Sequence, residues 1–252
     1  MSGPRAVVVS RGRDLLRVEM ARPRQRNPID DTLLTELAAA LDEAEADPGC
    51  RVLVLGARGA DFCSGTDLSG DRPVPGDGLA AGAELPYWRL LDRLTRSELV
   101  TVAVVDGRAT AGGVGLAAAC DLVVAGERAS FRLTEMLVGL VPAMALPFVA
   151  RRVGEQRAFA ATLRAEEFDS EAARAAGLAD LVGADAERVL RPLLAALGRT
   201  DRATTAALKR YRARLFPRDE RLGHDASHLL LERFAAPGTR ALLDRAQEAG
   251  AA

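Results

Sequence analysis

Residues 107–136 read "GRATAGGVGLAAACDLVVAGERASFRLTEM", and this stretch decides the fold. A glycine turn opens an apolar helix, a β-branched run follows it, and a short segment then delivers the carboxylate of Glu135. Amides at a helix N-terminus favour negative charge, and glycine lets a ligand approach the backbone closely. Taken alone, Gly112–Gly113 is more often a tight turn, and Glu135 is more often an ordinary acidic residue in the first turn of a helix. The stretch therefore raises the hypothesis of a site with one carboxylate.

The composition excludes several classes of protein. With 34 basic and 35 acidic residues among 252, the net charge of −1 creates no field that would attract nucleic acid or an anionic membrane. Three cysteines without paired or metal-ligand spacing indicate a reducing cytosol. The N-terminus lacks the apolar core of a signal peptide, and two prolines interrupt the apolar run Leu137–Val149. We expect a cytoplasmic protein whose partners include neither nucleic acid nor a membrane.

Alternating apolar segments predict an α/β fold. Residues Ala6–Ser10 and Leu15–Met20 flank the charged turn "RGRD", as in a hairpin, and the runs "RVLVLGA" and "LVTVAVVDG" are typical of buried parallel strands joined by helices. Residues 69–86, rich in Gly, Pro and Asp, predict a loop over a binding face. The C-terminal part of the chain has an almost entirely helical pattern. We expect an α/β core over residues 1–195 and a helical region over residues 196–252.

Two glycine-containing turns follow the two predicted buried strands. They read "RGADFCSGTDLSG" over residues 58–70 and "GRATAGGVG" over residues 107–115. Each turn presents backbone N–H groups where a loop enters a helix. When a thioester carbonyl becomes an enolate, hydrogen-bond donors must stand where the negative charge develops. We therefore predict that amides from both turns converge on one oxygen atom.

Four ordered motifs carry a resemblance to a known superfamily. They are "ARPRQRNPID", "FCSGTDL", "DGRATAGGVGLAAACDLVVAGERASF" and "RLTEMLVGLVPAMALPFVARRVGEQRA". Over essentially its whole length the chain resembles the crotonase, or enoyl-CoA hydratase/isomerase, superfamily. The resemblance implies a ClpP-like spiral of ββα units with a helical C-terminal region. It also implies that residues 196–252 hold a homo-oligomer together as a trimer or a dimer of trimers.

The resemblance further implies the catalytic groups. It places the oxyanion-hole amides on Thr66 and Gly112. Hydratases of the family use two glutamates, and the matching positions here are Gly115 and Glu135, so water addition by two glutamates is not expected. One carboxylate suffices for an elimination from a single face, because Glu135 can take the α-proton and then protonate the departing hydroxyl.

Within the superfamily, the chain resembles the dehydratases of polyketide β-branching cassettes. The segments that carry this likeness are "DDTLL", "AGGVGL" and "SFRLTEMLVGLVPAMALPFVARRVG". The resemblance implies a hydro-lyase that converts a 3-hydroxy-3-methylglutaryl-type thioester on an acyl carrier protein into the 3-methylglutaconyl-type enoyl thioester, with or without decarboxylation. It implies no cofactor beyond the phosphopantetheine thioester of the carrier protein, or CoA, as the carrier of the substrate.

The remaining site residues follow from the same matches. A terminal carboxylate on the substrate requires a cation in an apolar pocket, for which Arg89, Arg93 and Arg132 are the candidates. Core packing is the default for Tyr87 and Trp88. The predicted pantetheine or CoA segment comprises Arg24, Arg26, Ser64, Asp67 and Leu68, and the predicted substrate pocket comprises Tyr87, Trp88, Gly113, Gly115, Arg132 and Pro142.

Some of these residues also fit simpler roles. Arg24 and Arg26, with Arg22, are also compatible with ordinary solvated charges. Asp67 fits an acceptor that orders its loop better than a second acid. His224 and His228 lie four residues apart, as metal ligands can, but no third ligand is evident, so a surface role is favoured and no metal is expected.

Two other functions compete with dehydration on a carrier protein. One is a CoA-linked hydratase, isomerase or decarboxylase of the same fold. The decarboxylases of such cassettes carry a lysine four residues after a tyrosine, where this chain has Leu91, which argues against a dedicated decarboxylase. The other is a non-catalytic scaffold that binds a carrier protein. Retention of Glu135 with both glycine turns argues against a scaffold.

Overall fold

Ten strands in two sheets are found in the computed structural model, which describes residues 5–66 and 83–248. The predicted loop of residues 69–86 falls mostly outside the described residues. The strands are β1 Val7–Arg11, β2 Leu15–Met20, β3 Val52–Ala57, β4 Asp61–Cys63, β5 Val100–Val105, β6 Arg108–Thr110, β7 Leu122–Gly126, β8 Ser130–Arg132, β9 Glu167–Asp169 and β10 Leu181–Gly183.

The larger sheet has the order β1-β2-β3-β5-β7-β10. β1 and β2 form the predicted antiparallel hairpin, and the other neighbours pair in parallel. β3 is buried on both faces: Leu53 and Leu55 belong to one apolar cluster, whereas Val52 and Val54 belong to the cluster on the opposite face. Burial on both faces is the reason why this strand is apolar at successive positions rather than at alternate ones.

The smaller sheet has the order β4-β6-β8-β9, and it positions the site. Each of its first three strands follows a strand of the larger sheet after a short turn, which gives the spiral its ββα repeat. The turn at Gly107 requires glycine, because a Cβ atom there would lie 2.3 Å from the carbonyl oxygen of Ala60. β4, β6 and β8 are parallel neighbours. Their carboxyl ends therefore meet at one edge of the sheet.

Helices cover both faces of the larger sheet. The first begins at the cap residue Asp30, whose carboxylate accepts a hydrogen bond from the amide of Leu33. The 3₁₀ helices span Pro23–Gln25 and Glu135–Val138, and the α-helices are α1 Asp31–Ala46, α2 Pro86–Arg96, α3 Gly112–Ala119, α4 Leu146–Val153, α5 Glu155–Arg164, α6 Ser170–Ala176, α7 Ala186–Leu197, α8 Arg202–Leu215, α9 Leu222–Ala235 and α10 Pro237–Glu248.

The last helices fold back onto the core of the same chain. The predicted boundary at residue 195 falls in the last turn of α7. Ala226 and Leu230 of α9 belong to the same apolar cluster as the strands, and the amide of Leu85 donates to the hydroxyl of Ser227. In the described residues, 5–66 and 83–248, no helix is both long and apolar enough to cross a membrane.

Candidate active site

A cleft of about 1050 Å³ lies at the edge where the carboxyl ends of β4, β6 and β8 meet. Thr66 follows β4, Gly112 follows β6 and Glu135 follows β8, and all three residues line this cleft. The three predicted catalytic residues, which are far apart in the sequence, are thus brought together because the strands that deliver them are parallel neighbours.

The two glycine turns are in contact. A Cβ atom at Gly65, where φ is +89°, would lie 2.8 Å from the Cβ of Ala111 and 3.4 Å from the amide nitrogen of Gly112. The next residue, Thr66, pairs with Ile29 as an isolated parallel bridge, and this pairing fixes the position of the first turn. The contact requires glycine at position 65 and places the backbones of Thr66 and Gly112 beside each other.

Gly112 is the first residue of α3, so its N–H group has no acceptor within the helix and lies at the positive end of the helix dipole. The residue before it, Ala111, has φ +50° and ψ −121°. Such a backbone conformation costs a non-glycine residue about 1–3 kcal/mol, and strain of this kind concentrates at functional sites. The turn therefore has the geometry of an anion-stabilising element. The roles of Thr66 and Gly112 as oxyanion donors stay predictions.

Glu135 presents an enclosed carboxyl group to the cleft. Its Oε2 atom is fully buried and has no hydrogen-bond partner in the part of the chain that the structure describes. Burial favours the neutral form and raises the pKa of Glu135 from 4.5 to about 7. Near neutral pH both protonation states are accessible. The carboxyl group is therefore suited to accept a proton and to return it.

Tyr87 of α2 forms another wall of the cleft. Its buried hydroxyl donates a hydrogen bond of 2.5 Å to the carbonyl oxygen of Gly112. Burial, together with the nearby Cys63 and Glu135, raises the pKa of Tyr87 well above 10. Tyr87 is thus a neutral hydrogen-bonding group next to the predicted oxyanion hole.

Gly115 and Gly113, predicted as pocket residues, are not among the described residues that line the cleft. A Cβ atom at Gly115 would lie 2.3 Å from the Tyr87 hydroxyl oxygen and 2.8 Å from the Cβ of Ala145. At Gly113 a Cβ atom would lie 2.5 Å from the carbonyl oxygen of Cys63. Both glycines allow close packing behind the cleft wall. Position 115, where the family has its first glutamate, therefore carries no side chain, and Tyr87 and Ala145 occupy the space that such a side chain would need.

Trp88 and Arg132, also predicted as pocket residues, are not among the described residues that line the cleft. Trp88 packs in the core against Phe148, with ring centroids 5.3 Å apart. The Nε of Arg132 donates to the carbonyl oxygen of Ala165 at 2.8 Å. Adjacent residues on a helix or strand face different directions, and the motifs alone did not show which of them faces the cleft.

The two other candidate cations lie elsewhere. Arg89 is exposed and outside the cleft lining. Arg93 forms ion pairs with Asp42 and Glu45 on α1, at 2.6 Å and 3.0 Å. Neither lines the cleft among the described residues, so the structure favours neither as the cation for a substrate carboxylate.

The predicted pantetheine segment is only partly at the cleft. Ser64 and Arg26 line it, whereas Arg24 is exposed outside the lining. Asp67 and Leu68 lie outside the described residues. Pro142, which was predicted as a pocket residue, lines the cleft. His224 and His228, for which a surface role was favoured, are both exposed on α9.

The cleft also contains residues that the sequence reasoning missed. Arg22 lines it and is held by Asp30 through an ion pair of 2.6 Å. The C-terminal helices close one side, since Leu230 and Phe234 of α9 and Leu242 and Arg245 of α10 all line the cleft. The apolar faces of these helices were visible in the sequence, but their packing partner was not.

The arrangement suits proton abstraction next to a carbonyl group. Glu135, whose pKa of about 7 makes both its protonated and its ionised forms accessible, lines the same cleft as Gly112. A thioester oxygen at this amide would become more basic as an enolate forms, and the preorganised backbone would stabilise that charge.

Comparisons with known proteins agree with this chemistry. The sequence model of the family described as "Enoyl-CoA hydratase/isomerase" matches residues 11–228. A Bacillus subtilis (strain 168) protein, "Bacillaene synthase dehydratase PksH", is 34% identical over 195 residues, which are 77% of this chain and 75% of that protein. A Thermus thermophilus protein named "Putative enoyl-CoA hydratase" is 39% identical over 166 residues, and the match spans only 64% of its length and 64% of this chain.

A solved structure resembles nearly the whole chain. It is the crystal structure of a "Putative polyketide biosynthesis enoyl-CoA hydratase (pksH)" from Bacillus subtilis. The two structures superimpose with a TM-score of 0.88 and 29% sequence identity, over 97% of this chain and 98% of that one.

Proposed function

Because the chain belongs to the enoyl-CoA hydratase/isomerase family, we propose that it is a hydro-lyase acting on a β-hydroxy-β-branched acyl thioester. The substrate is of the 3-hydroxy-3-methylglutaryl type and is carried by an acyl carrier protein. The product is the α,β-unsaturated thioester of the 3-methylglutaconyl type. A relative named as a dehydratase of bacillaene synthase supports both the direction of the reaction and the polyketide setting.

The observation that carries the proposal is the carboxylate of Glu135, which lines the same cleft as Gly112. The other carboxylate in the described lining, Asp30, is bound by Arg22 through both of its oxygens. Position 115 cannot hold a second glutamate without displacing Tyr87. A site of this kind favours an elimination in which one group handles both proton transfers.

The reaction needs no other acid. The carboxylate of Glu135 takes the α-proton, and the electrons of the C–H bond move to the thioester carbonyl, where the amides of Thr66 and Gly112 hold the enolate oxygen. The enolate then collapses to the Cα=Cβ double bond. The C–O bond to the β-hydroxyl breaks, and this hydroxyl takes the proton from Glu135 and leaves as water. Glu135 ends as the carboxylate in which it began.

The test is dehydration of 3-hydroxy-3-methylglutaryl-carrier protein by the full chain, followed by intact mass spectrometry. We expect loss of water from the acyl group, and a Glu135→Gln variant that is about 10²–10⁴-fold slower because proton transfer is removed. Binding and thermal stability should persist in this variant, since the amides of Thr66 and Gly112 are untouched.

Two results would count against the proposal, and a third would extend it. Near-normal turnover by a well-folded Glu135→Gln protein would contradict the one-carboxylate mechanism. Equal or faster turnover of the CoA thioester would favour the CoA-linked alternative. Loss of carbon dioxide as well as water would show an additional decarboxylation.

A further inference from the structure

The hydroxyl of Tyr87 reaches the cleft with its one proton already engaged. It donates that proton to the carbonyl oxygen of Gly112 at 2.5 Å, and Tyr87 is among the residues that line the cleft. A phenol has one donor and also accepts hydrogen bonds through its oxygen lone pairs. What Tyr87 offers to a ligand is therefore an acceptor.

No group in the described part of the chain uses this acceptor. Within residues 5–66 and 83–248, no side chain or amide donates a hydrogen bond to the Tyr87 oxygen. The groups around it are the Gly112 carbonyl, Gly115 and the Cβ of Ala145, together with the buried thiol of Cys63 and the carboxyl group of Glu135. The cleft thus contains a fixed, partly unsatisfied oxygen near the proposed base.

On the premise of the function proposed above, we propose that Tyr87 accepts a hydrogen bond from the β-hydroxyl of the substrate. The hydroxyl proton points to the Tyr87 oxygen, so a lone pair of the hydroxyl oxygen is left for the protonated carboxyl group of Glu135. When the C–O bond breaks, the oxygen leaves as water with its own proton and the proton from Glu135. Tyr87 neither gains nor loses a proton, because its own proton stays on the phenol oxygen, hydrogen-bonded to the Gly112 carbonyl. Tyr87 is then a catalytic residue that orients the leaving group.

This assignment explains why a tyrosine stands where the family's first glutamate would project. A second carboxylate would also accept a hydrogen bond from the β-hydroxyl, but it would repel the ionised Glu135 and compete with it as a base. The neutral phenol accepts the same hydrogen bond without either effect. This arrangement requires glycine at position 115, because the Cβ atom of any other residue there would lie 2.3 Å from the phenol oxygen of Tyr87.

The test compares two ligands that differ by one hydroxyl group. In a Glu135→Gln background, in which turnover is about 10²–10⁴-fold slower, binding is measured for the 3-hydroxy-3-methylglutaryl thioester and for the 3-methylglutaryl thioester before turnover becomes significant. We expect Tyr87→Phe to weaken binding of the hydroxylated ligand about five- to tenfold more than binding of the deoxy ligand, as for one neutral hydrogen bond. Tyr211→Phe, which changes the exposed tyrosine of α8, is the matched control and should leave the ratio unchanged.

A second variant displaces the hydroxyl group of Tyr87 without removing it. Gly115→Ala places a methyl group against the Tyr87 oxygen, so it should displace the phenol and reduce the same discrimination. Thermal melting confirms that each variant is folded. Equal weakening of both ligands by Tyr87→Phe would show a merely structural role and overturn the inference.

Turnover by the otherwise unchanged enzyme separates the two proposals. We expect Tyr87→Phe to lower kcat in the dehydration assay more than it raises KM. If the wild-type protein dehydrates the hydroxylated thioester and Tyr87→Phe keeps the wild-type binding ratio, only the role of Tyr87 fails. If the wild-type protein does not dehydrate it, the proposed function fails, and this inference fails with it.

Discussion

At the scale of single residues, the protonation of Glu135 sets the conditions under which the cleft can work. Its carboxyl group is enclosed on the side of Oε2, and burial raises its pKa to about 7. A base must be ionised before it removes a proton, so the raised pKa limits the active fraction below neutral pH. In the proposed mechanism, the same raised pKa favours the protonated form that delivers a proton to the leaving hydroxyl.

This balance predicts the pH dependence of the reaction. kcat/KM for the hydroxylated thioester should rise with pH through an apparent pKa of about 7 and then level off, because the free enzyme needs the Glu135 carboxylate. No descending limb from a second carboxylic acid is expected between pH 5 and 9. A rate that falls as pH rises through 7 would show that the reaction begins from the protonated form, contrary to the mechanism.

At the scale of elements, α10 supplies a cation that the sequence did not reveal as part of the site. Arg245 lies in the last turn of this helix and lines the cleft. The other two arginines of the described lining are close to carboxylates, Arg22 to Asp30 at 2.6 Å and Arg26 to Asp61 at 3.6 Å. α10 therefore provides the best candidate for the cation that a glutaryl-type carboxylate requires.

We expect Arg245→Ala to raise KM about three- to tenfold for the 3-hydroxy-3-methylglutaryl thioester, which corresponds to a partly solvated, charge-assisted hydrogen bond. KM for a matching thioester without the terminal carboxylate should change little. Arg240→Ala is the control, since Arg240 lies on the same helix, pairs with Asp244 and is outside the cleft lining. If Arg245→Ala changes both substrates in the same ratio, the carboxylate is bound elsewhere.

The strands and turns were more predictable from the sequence than the walls of the cleft. The hairpin and the parallel strands follow from apolar runs, and the grouping of Thr66, Gly112 and Glu135 follows from the resemblance of the motifs to the superfamily. The directions of side chains within a motif do not follow, which is why Trp88 and Arg132 were predicted at the pocket but lie outside the described cleft lining. Contacts between distant segments, such as α10 against the cleft, depend on tertiary packing that no local pattern encodes.

At the scale of the whole molecule, the predictions of an α/β crotonase-type core, of the enoyl-CoA hydratase/isomerase superfamily and of its hydro-lyase class are confirmed by the family match and the solved relative. The predicted oligomer is untested. α8 carries exposed apolar residues, namely Leu208, which is 65% accessible, Tyr211 and Leu215, and Phe216 directly after the helix is 73% accessible. Such residues are typical of a surface that another subunit covers.

We expect the protein to be a trimer or a dimer of trimers by light scattering at micromolar concentration. Leu208→Glu together with Leu215→Glu should dissociate it, because two charges would have to be buried in the interface. Leu163→Glu, at an exposed apolar position on α5, tests whether that helix forms the opposing surface. A wild-type protein that scatters as a monomer would contradict the prediction.

The back-folding of α9 and α10 has a consequence for the order in which the enzyme is made. The strands that deliver Thr66, Gly112 and Glu135 are synthesised long before Leu242 and Arg245, yet all of these residues form one cleft. Until α9 and α10 have been synthesised, Thr66, Gly112 and Glu135 can form only a cleft that lacks one wall. We therefore expect activity to require these helices, and a chain interrupted before α9 to expose the apolar surface that Ala226 and Leu230 cover.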